Sequence, residues 1–377
     1  MTSSANRKII AWARERSGYS VENLASTMKI DPDEIRMWES GEKCPSYLML
    51  ENLAYKYFKI PLALFFFPEP PDIEDTKHKF RRLPEYELSR LSPDTIKIMR
   101  SSEGFQESLL ELIPPESIKR RIFNDIHVEN EDIIYLARKI REYLGITIEQ
   151  QFRFTGIESA FKAWRHVIEN SGVFTFKNSF KDRFVSGFCL LHPQFPIIVV
   201  NNSNSFSRQI FTLMHELGHI IYKVNGITDI EDQYIEYMDG QEKSLEINCN
   251  KLASEILVPL EVFKNDIPHE FEPEIVPFLA EKYSVSREVI LRKFMDNDVI
   301  SQEYYSLKSL EWNRDFLRGE ERKGGDWYLT QLSYLGEGFT RLAFEYYRSG
   351  LLSIEQLAQH LNVNSKNIEK LESYMDR

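Results

Sequence analysis

The sequence predicts an α+β multidomain protein, with an all-α N-terminal domain, a central α+β domain carrying a small sheet, and a helical C-terminal region. Three observations carry this expectation. Apolar residues recur at helical spacing through residues 6–58 and again through 329–375. Between them, over residues 173–200, the pattern switches to short β-branched and aromatic runs bounded by glycine and proline. The length, 377 residues, also exceeds what one hydrophobic core usually organises. The expected division is a helical N-terminal domain at 1–67, a linker at 68–84, a helical connecting region at 85–157, the α+β domain at 158–300 and a C-terminal helical domain at 301–377.

Composition narrows the function classes. With 42% apolar and 28% charged residues, the chain has ample material for buried cores. The N-terminal MTSSANRK lacks the hydrophobic stretch of a signal peptide, and the longest apolar run, 60–67, is too short to span a bilayer. A cytoplasmic protein with no membrane partner is therefore expected. A net charge of −11 excludes a chain that coats nucleic acid through its whole surface, so any DNA contact must be local. Cys44, Cys189 and Cys249 lack CxxC spacing and read as reduced, mostly packing thiols rather than metal ligands.

Residues 6–58 read as four or five short helices. Ile9, Ile10, Trp12 and Ala13 make an apolar face that Gly18 ends, and Ser20 caps a second helix running through Leu24 and Ala25 into Met28. Asp31, with Pro32 at the first helical position, opens DPDEIRMWESG, and Gly41 closes it. Leu48, Leu50, Leu53, Ala54 and Tyr57 then mark a packed fourth helix over 45–58. This run resembles the helix-turn-helix of the phage-repressor-like XRE family, with Trp38-Glu39-Ser40-Gly41 followed by Pro45-Ser46 as its most specific words.

The third helix departs from a good DNA reader. Its first turn offers Asp31, Asp33 and Glu34, where base-reading helices offer amides, hydroxyls or arginine. Residues 1–61 hold nine Lys or Arg against eight Asp or Glu, with no basic stripe. Glu34 can accept from a cytosine amine, and Lys29, Arg36 and Lys43 can touch phosphates, so these four are the candidate contacts to operator DNA. A protein-interaction or homodimerisation module is the alternative.

PEPPDIED at 68–75 is proline-rich and acidic, an extended linker that marks the clearest boundary. The basic stretch 79–82 reads as the solvated start of the next domain. Helical patterns follow at 92–113, 131–145 and 158–171, and strands at 173–176, 184–190 and 196–200.

A helix over 207–223 comes directly after the last strand. Ile210, Phe211, Met214, Leu217, Gly218 and Ile221 fill its apolar sector, and His215 and His219 of the pentapeptide HELGH stand at the edge. Two histidines four apart share a helix face, so their imidazoles converge on one metal ion, while Glu216 between them leans toward the attacking water. That spacing predicts a zinc hydrolase holding one Zn2+, with Mn2+ as the alternative. Gly218 costs about 1 kcal/mol relative to alanine in a helix, which close approach of another backbone would justify.

Zinc needs a third protein ligand from a separate element. The best candidate is Glu246, on a helix over 241–258 that Pro259 terminates. Glu246, Asn250 and Ala253 share a face there: a carboxylate ligand, an amide able to hold it, and a small residue that lets helices approach. Tyr222 and His192 are candidate transition-state stabilisers, with packing or surface placement as the alternative for each. The strand at 196–200 is a candidate to bind substrate by edge pairing, with sheet core as the plainer reading and the two compatible. Residues 226–243, rich in Asp and Glu, read as a solvated connection between the two metal helices or as a cover for the cleft.

Phe211-Thr212-Leu213-Met214 ahead of HELGH, then Glu246-Ile247-Asn248-Cys249-Asn250 with Ala253, Leu257 and Pro259, look like the ImmA/IrrE family of metallopeptidases. The family signature is HELGH followed by E-x-x-A-N-x-x-A-x-x-x-L-x-P, and Cys249 stands where it has alanine. Ser186-Gly187-Phe188 and the segment from Pro196 through Asn201 also match, so the resemblance extends over 158–300. It implies a zincin-like domain with His215, His219 and Glu246 as metal ligands and Glu216 as general base. It further implies a protein substrate such as a repressor or toxin, in stress response or mobile-element control. Two other readings compete: an XRE-type transcriptional regulator whose zincin domain is a sensor, and an antitoxin of a toxin-antitoxin module.

Residues 278–300 form a helix pair around Tyr283-Ser284-Val285-Ser286 that looks like a turn-linked DNA reader, with packing or partner docking as its expected role. Gly324-Gly325 reads as a hinge. The patterns at 329–347, 353–361 and 364–375 give a last helical unit without a catalytic motif, with Gly350 capping its first helix.

Overall fold

The N-terminal helices start where their caps predict. In the computed structural model α1 (Arg7–Arg16), α2 (Val21–Met28), α3 (Pro32–Ser40) and α4 (Tyr47–Glu51) begin behind Asn6, Ser20, Asp31 and Ser46, each side chain accepting a backbone N–H of the first turn. The helical path of α4 continues through Asn52–Phe58 with wider π-type turns. Ile9, Leu24, Ile35, Trp38, Leu50, Leu53 and Phe58 fill the core between them. Residues 5–72, 91–114, 119–128, 132–182, 184–229, 240–318 and 325–375 are described; the basic stretch 79–82, most of the linker, the acidic residues 230–239 and Gly324 lie outside them.

The chain divides into two units, 1–101 and 102–377. After α5 (Pro93–Leu112), the second unit contains α6 (Ile133–Leu144), α7 (Ile157–Asn170), β1 (Phe174–Asn178), β2 (Val185–Leu190), β3 (Ile197–Asn201), α8 (Phe206–Ile221), β4 (Gly226–Asp229) and α9 (Gly240–Leu257). The sheet order is β1-β3-β2-β4. β1 runs parallel to β3, with Phe174 opposite Ile197, and β2 runs antiparallel to both β3 and β4. β3 therefore has both edges occupied, and a substrate strand has no place to add to it. Its residues are core, and the edge-pairing alternative for 196–200 falls.

β4 was not expected, since 226–243 read as a connection. Four residues at the head of an acidic run carry too little periodicity to announce a strand, and its place is fixed by pairing with β2. Leu213, Met214 and Leu217 of α8 meet Leu252, Ala253 and Ile256 of α9 and Ile198 and Val200 of β3 in one core.

The chain goes on through α10 (Ile275–Tyr283), α11 (Arg287–Asp296), α12 (Gln302–Arg318), α13 (Trp327–Leu335), α14 (Glu337–Arg348), α15 (Ile354–His360) and α16 (Ile368–Met375). α13 packs on β1. Buried Arg165 of α7 ties it there, pairing with Glu169 at 2.9 Å while donating to Ser333 O at 2.7 Å and to Thr175 O. The architecture is α+β and multidomain. No helix among the described residues is long and apolar enough to cross a membrane.

Candidate metal centre

α8 begins at a capped turn, where the Ser205 hydroxyl accepts the Arg208 N–H at 3.3 Å and supplies a bond that a helix start lacks. From Gln209 to Ile221 every residue except Phe211 is buried, because the helix packs on β2 and β3 and also against α9. Gly218 shows how closely α9 approaches. A Cβ there would come 3.3 Å from Cys249 Sγ and 3.5 Å from Cys249 Cα. That contact justifies a glycine inside a helix.

The same approach brings three donors together. His215 Nε2 and His219 Nε2 lie 3.0 Å apart, and Glu246 places Oε2 3.2 Å from the first and Oε1 3.2 Å from the second. These separations are close to the ~3.3 Å edge of a tetrahedron with metal–ligand bonds of about 2.0–2.1 Å, so the set fits a metal ion. All three residues are buried, and among the described residues no other group of three or more His, Cys, Asp or Glu side chains converges this way. Burial alone would raise the Glu246 pKa, but the charge of His219 and hydrogen bonds from His215 and His219 outweigh it and hold the carboxyl well below the usual range.

Asn250, expected to hold Glu246, reaches across to His215, with Oδ1 2.8 Å from His215 Nδ1. It lies one turn beyond Glu246, level with the far nitrogen of the facing imidazole. An Nδ1–H donated to Oδ1 leaves the Nε2 lone pair for a metal, the tautomer a ligand needs. His219 is held differently. Its Nδ1 is buried with no hydrogen-bond partner among the described residues, and its ring lies on Gly226, where a Cβ would come 2.6 Å from both Cγ and Cδ2. Gly226 is placed by its register opposite Cys189 of β2.

Glu216 follows His215 in α8 and is fully buried. Beside it stands Cys189, whose thiol pKa is pushed up by burial and then by the Glu216 charge. Cys249, also buried, flanks His219. Both cysteines pack, as expected, but they pack as walls of this site. Their position and that of Gly226 escaped the sequence reading because only the β2–β4 and α8–α9 contacts bring them near the histidines.

Tyr222 follows α8 and is half-buried, its phenol pKa raised by burial and by Cys249. His192 sits in the β2–β3 turn, where Nδ1 accepts the N–H groups of Gln194 and Phe195 at 3.1 Å each. It stands outside the three-donor group. In the N-terminal unit, Arg36 pairs with Glu22 at 2.6 Å and Asp33 at 2.7 Å, and Lys43 pairs with Glu34 at 2.6 Å. Lys29 is the left-handed residue that ends α2.

Residues 168–295 match the family model described as the IrrE N-terminal-like domain, a peptidase family, and residues 10–65 match a helix-turn-helix model. A search of curated proteins finds no match to the chain. The buried donor triad therefore lies within an IrrE N-terminal-like domain of the M78 metallopeptidase family, which this chain carries behind an XRE-type helix-turn-helix domain.

Proposed function

We propose that this chain is a zinc-dependent endopeptidase that cleaves a protein partner, either a transcriptional repressor or another regulator such as a toxin. The observation that carries the reading is the buried convergence of His215, His219 and Glu246 on one point, with Glu216 on the same helix. These three residues would hold the ion through two imidazole nitrogens and a carboxylate oxygen, a set suited to zinc and acceptable to manganese. When bound, the metal lowers the pKa of water toward 7 and polarises the scissile carbonyl.

The chain's own groups do the rest. Glu216 takes a proton from the attacking water as oxygen bonds to the carbonyl carbon, and it returns that proton to the leaving amide nitrogen as the C–N bond breaks. Asn250 fixes the His215 tautomer. Tyr222, at the end of α8, is the better oxyanion partner, because Nδ1 of His192 already organises its turn. β4 ends the sheet among the described residues. An extended peptide pairing with its outer edge would run beside Gly226 and therefore beside His219. The helix-turn-helix unit would bring the enzyme to operator DNA or to the repressor bound there.

The test compares full-length wild type with Glu216→Gln, purified from the same cells, by mass spectrometry of the proteins that accompany each. Cleavage should fall by about 10²–10⁴-fold in the variant, which then retains an intact partner that wild type returns as fragments. The same intact partners with both chains would sink the peptidase reading.

A further inference from the structure

One helix-turn-helix pattern occurs near both ends of the chain, and a third helix pair, 275–296, shares its turn. Residues 20–40 align without a gap on 353–373, and the two segments share the hydrogen bonds of their helix caps and turn. Ser20 and Ser353 cap their helices, accepting from Asn23 N at 3.0 Å and Gln356 N at 3.2 Å. Lys29 and Asn362 make the turn at φ 58° and 52°. Ile30 N donates to Ala25 O at 3.1 Å, and Val363 N to Ala358 O at 2.9 Å. Asp31 and Asn364 open the second helix, accepting from Asp33 N at 2.9 Å and Lys366 N at 3.2 Å. Leu24, Ala25 and Ile35 correspond to Leu357, Ala358 and Ile368, all buried.

The third copy turns at Ser284, with φ 55°, and Val285 N donates to Ala280 O at 2.9 Å. Its second helix, α11, is closed off by α12: Glu288 accepts from Ser309 Oγ at 2.8 Å, and Arg287 lies 5.0 Å over the Trp312 ring. The first and last copies both present the first turn of their second helix to solvent, and those turns differ in charge. The N-terminal copy shows Asp31, Asp33 and Glu34, with Arg36 and Lys43 already paired to carboxylates. The C-terminal copy shows Asn364, Ser365, Lys366 and Asn367, with Asn364 and Lys366 exposed. Nearby, Arg348 holds Glu372 at 2.8 Å, and Lys370 sits over the Tyr328 ring.

We infer that residues 353–375 form a second helix-turn-helix whose ligand is duplex DNA, with the turn Asn364–Asn367 entering the major groove. Amides in such a first turn pair with adenine edges, and an exposed lysine there meets a phosphate or guanine. The chain's acidic total confines this contact to a few phosphates, so the salt dependence should be shallow.

The experiment uses the full-length chain. A library of random-sequence duplexes is selected on wild type, and the enriched duplex is titrated against wild type, Lys366→Ala and the double variant Lys366→Glu/Asn367→Ala. The expected results are an enriched sequence, at least tenfold weaker binding by the double variant, and a slope of log affinity against log salt reduced by about 1 in Lys366→Ala. These positions are on the surface, and an unchanged unfolding temperature confirms folding. No enriched sequence, or double-variant affinity within twofold of wild type because the N-terminal unit alone binds, would overturn the inference.

Discussion

Each histidine of the donor triad rests on a neighbour outside the HELGH motif. His215 is oriented by Asn250 through a 2.8 Å hydrogen bond, and loss of such a partner typically costs 10- to 100-fold in metal affinity. Asn250→Ala should therefore weaken zinc binding by about that factor in a competition titration with a chromophoric chelator, while Asn250→Asp, which keeps an acceptor, recovers most of it. Unchanged affinity in Asn250→Ala would show that the bond does no orienting. The ligand candidates themselves were legible because i, i+4 spacing on a helix is a geometric certainty. The partner of Asn250 was not, since a shared helix face says which residues are neighbours and nothing about what stands opposite.

Two helices and one short strand make the site. α8 and α9 were both anticipated to within two residues, because caps, the terminal Pro259 and apolar periodicity are local signals. β4 was not, although it carries the glycine on which His219 rests. Gly226→Ala forces a methyl to within 2.6 Å of the ring. The expected cost is about 1–3 kcal/mol of stability, read by urea denaturation of the metal-free chain, together with lost metal binding. A variant as stable as wild type that still loads metal would mean β4 does not support His219. The β1–β3–β2 part of the sheet was legible as β-branched runs between glycines and prolines, whereas strand order needed tertiary contacts. That order removed β3 as a substrate edge and left β4.

At the scale of the molecule, the chain builds a helix-turn-helix unit and a larger unit in which the donor triad is buried. The first and last helix-turn-helix segments share buried Leu24/Leu357, Ala25/Ala358 and Ile35/Ile368 and exposed Ser20/Ser353, Glu22/Glu355 and Ser40/Ser373, and what separates them is the first turn of the second helix, DPDE against NSKN. The peptidase proposed for the larger unit depends on one matter of composition, whether the triad holds a metal. The direct measurement is metal content of the full-length chain by inductively coupled plasma mass spectrometry, wild type beside His219→Ala. The account predicts about one zinc, or one manganese, per wild-type chain and almost none in the variant. A wild-type metal content no higher than that of His219→Ala would contradict it.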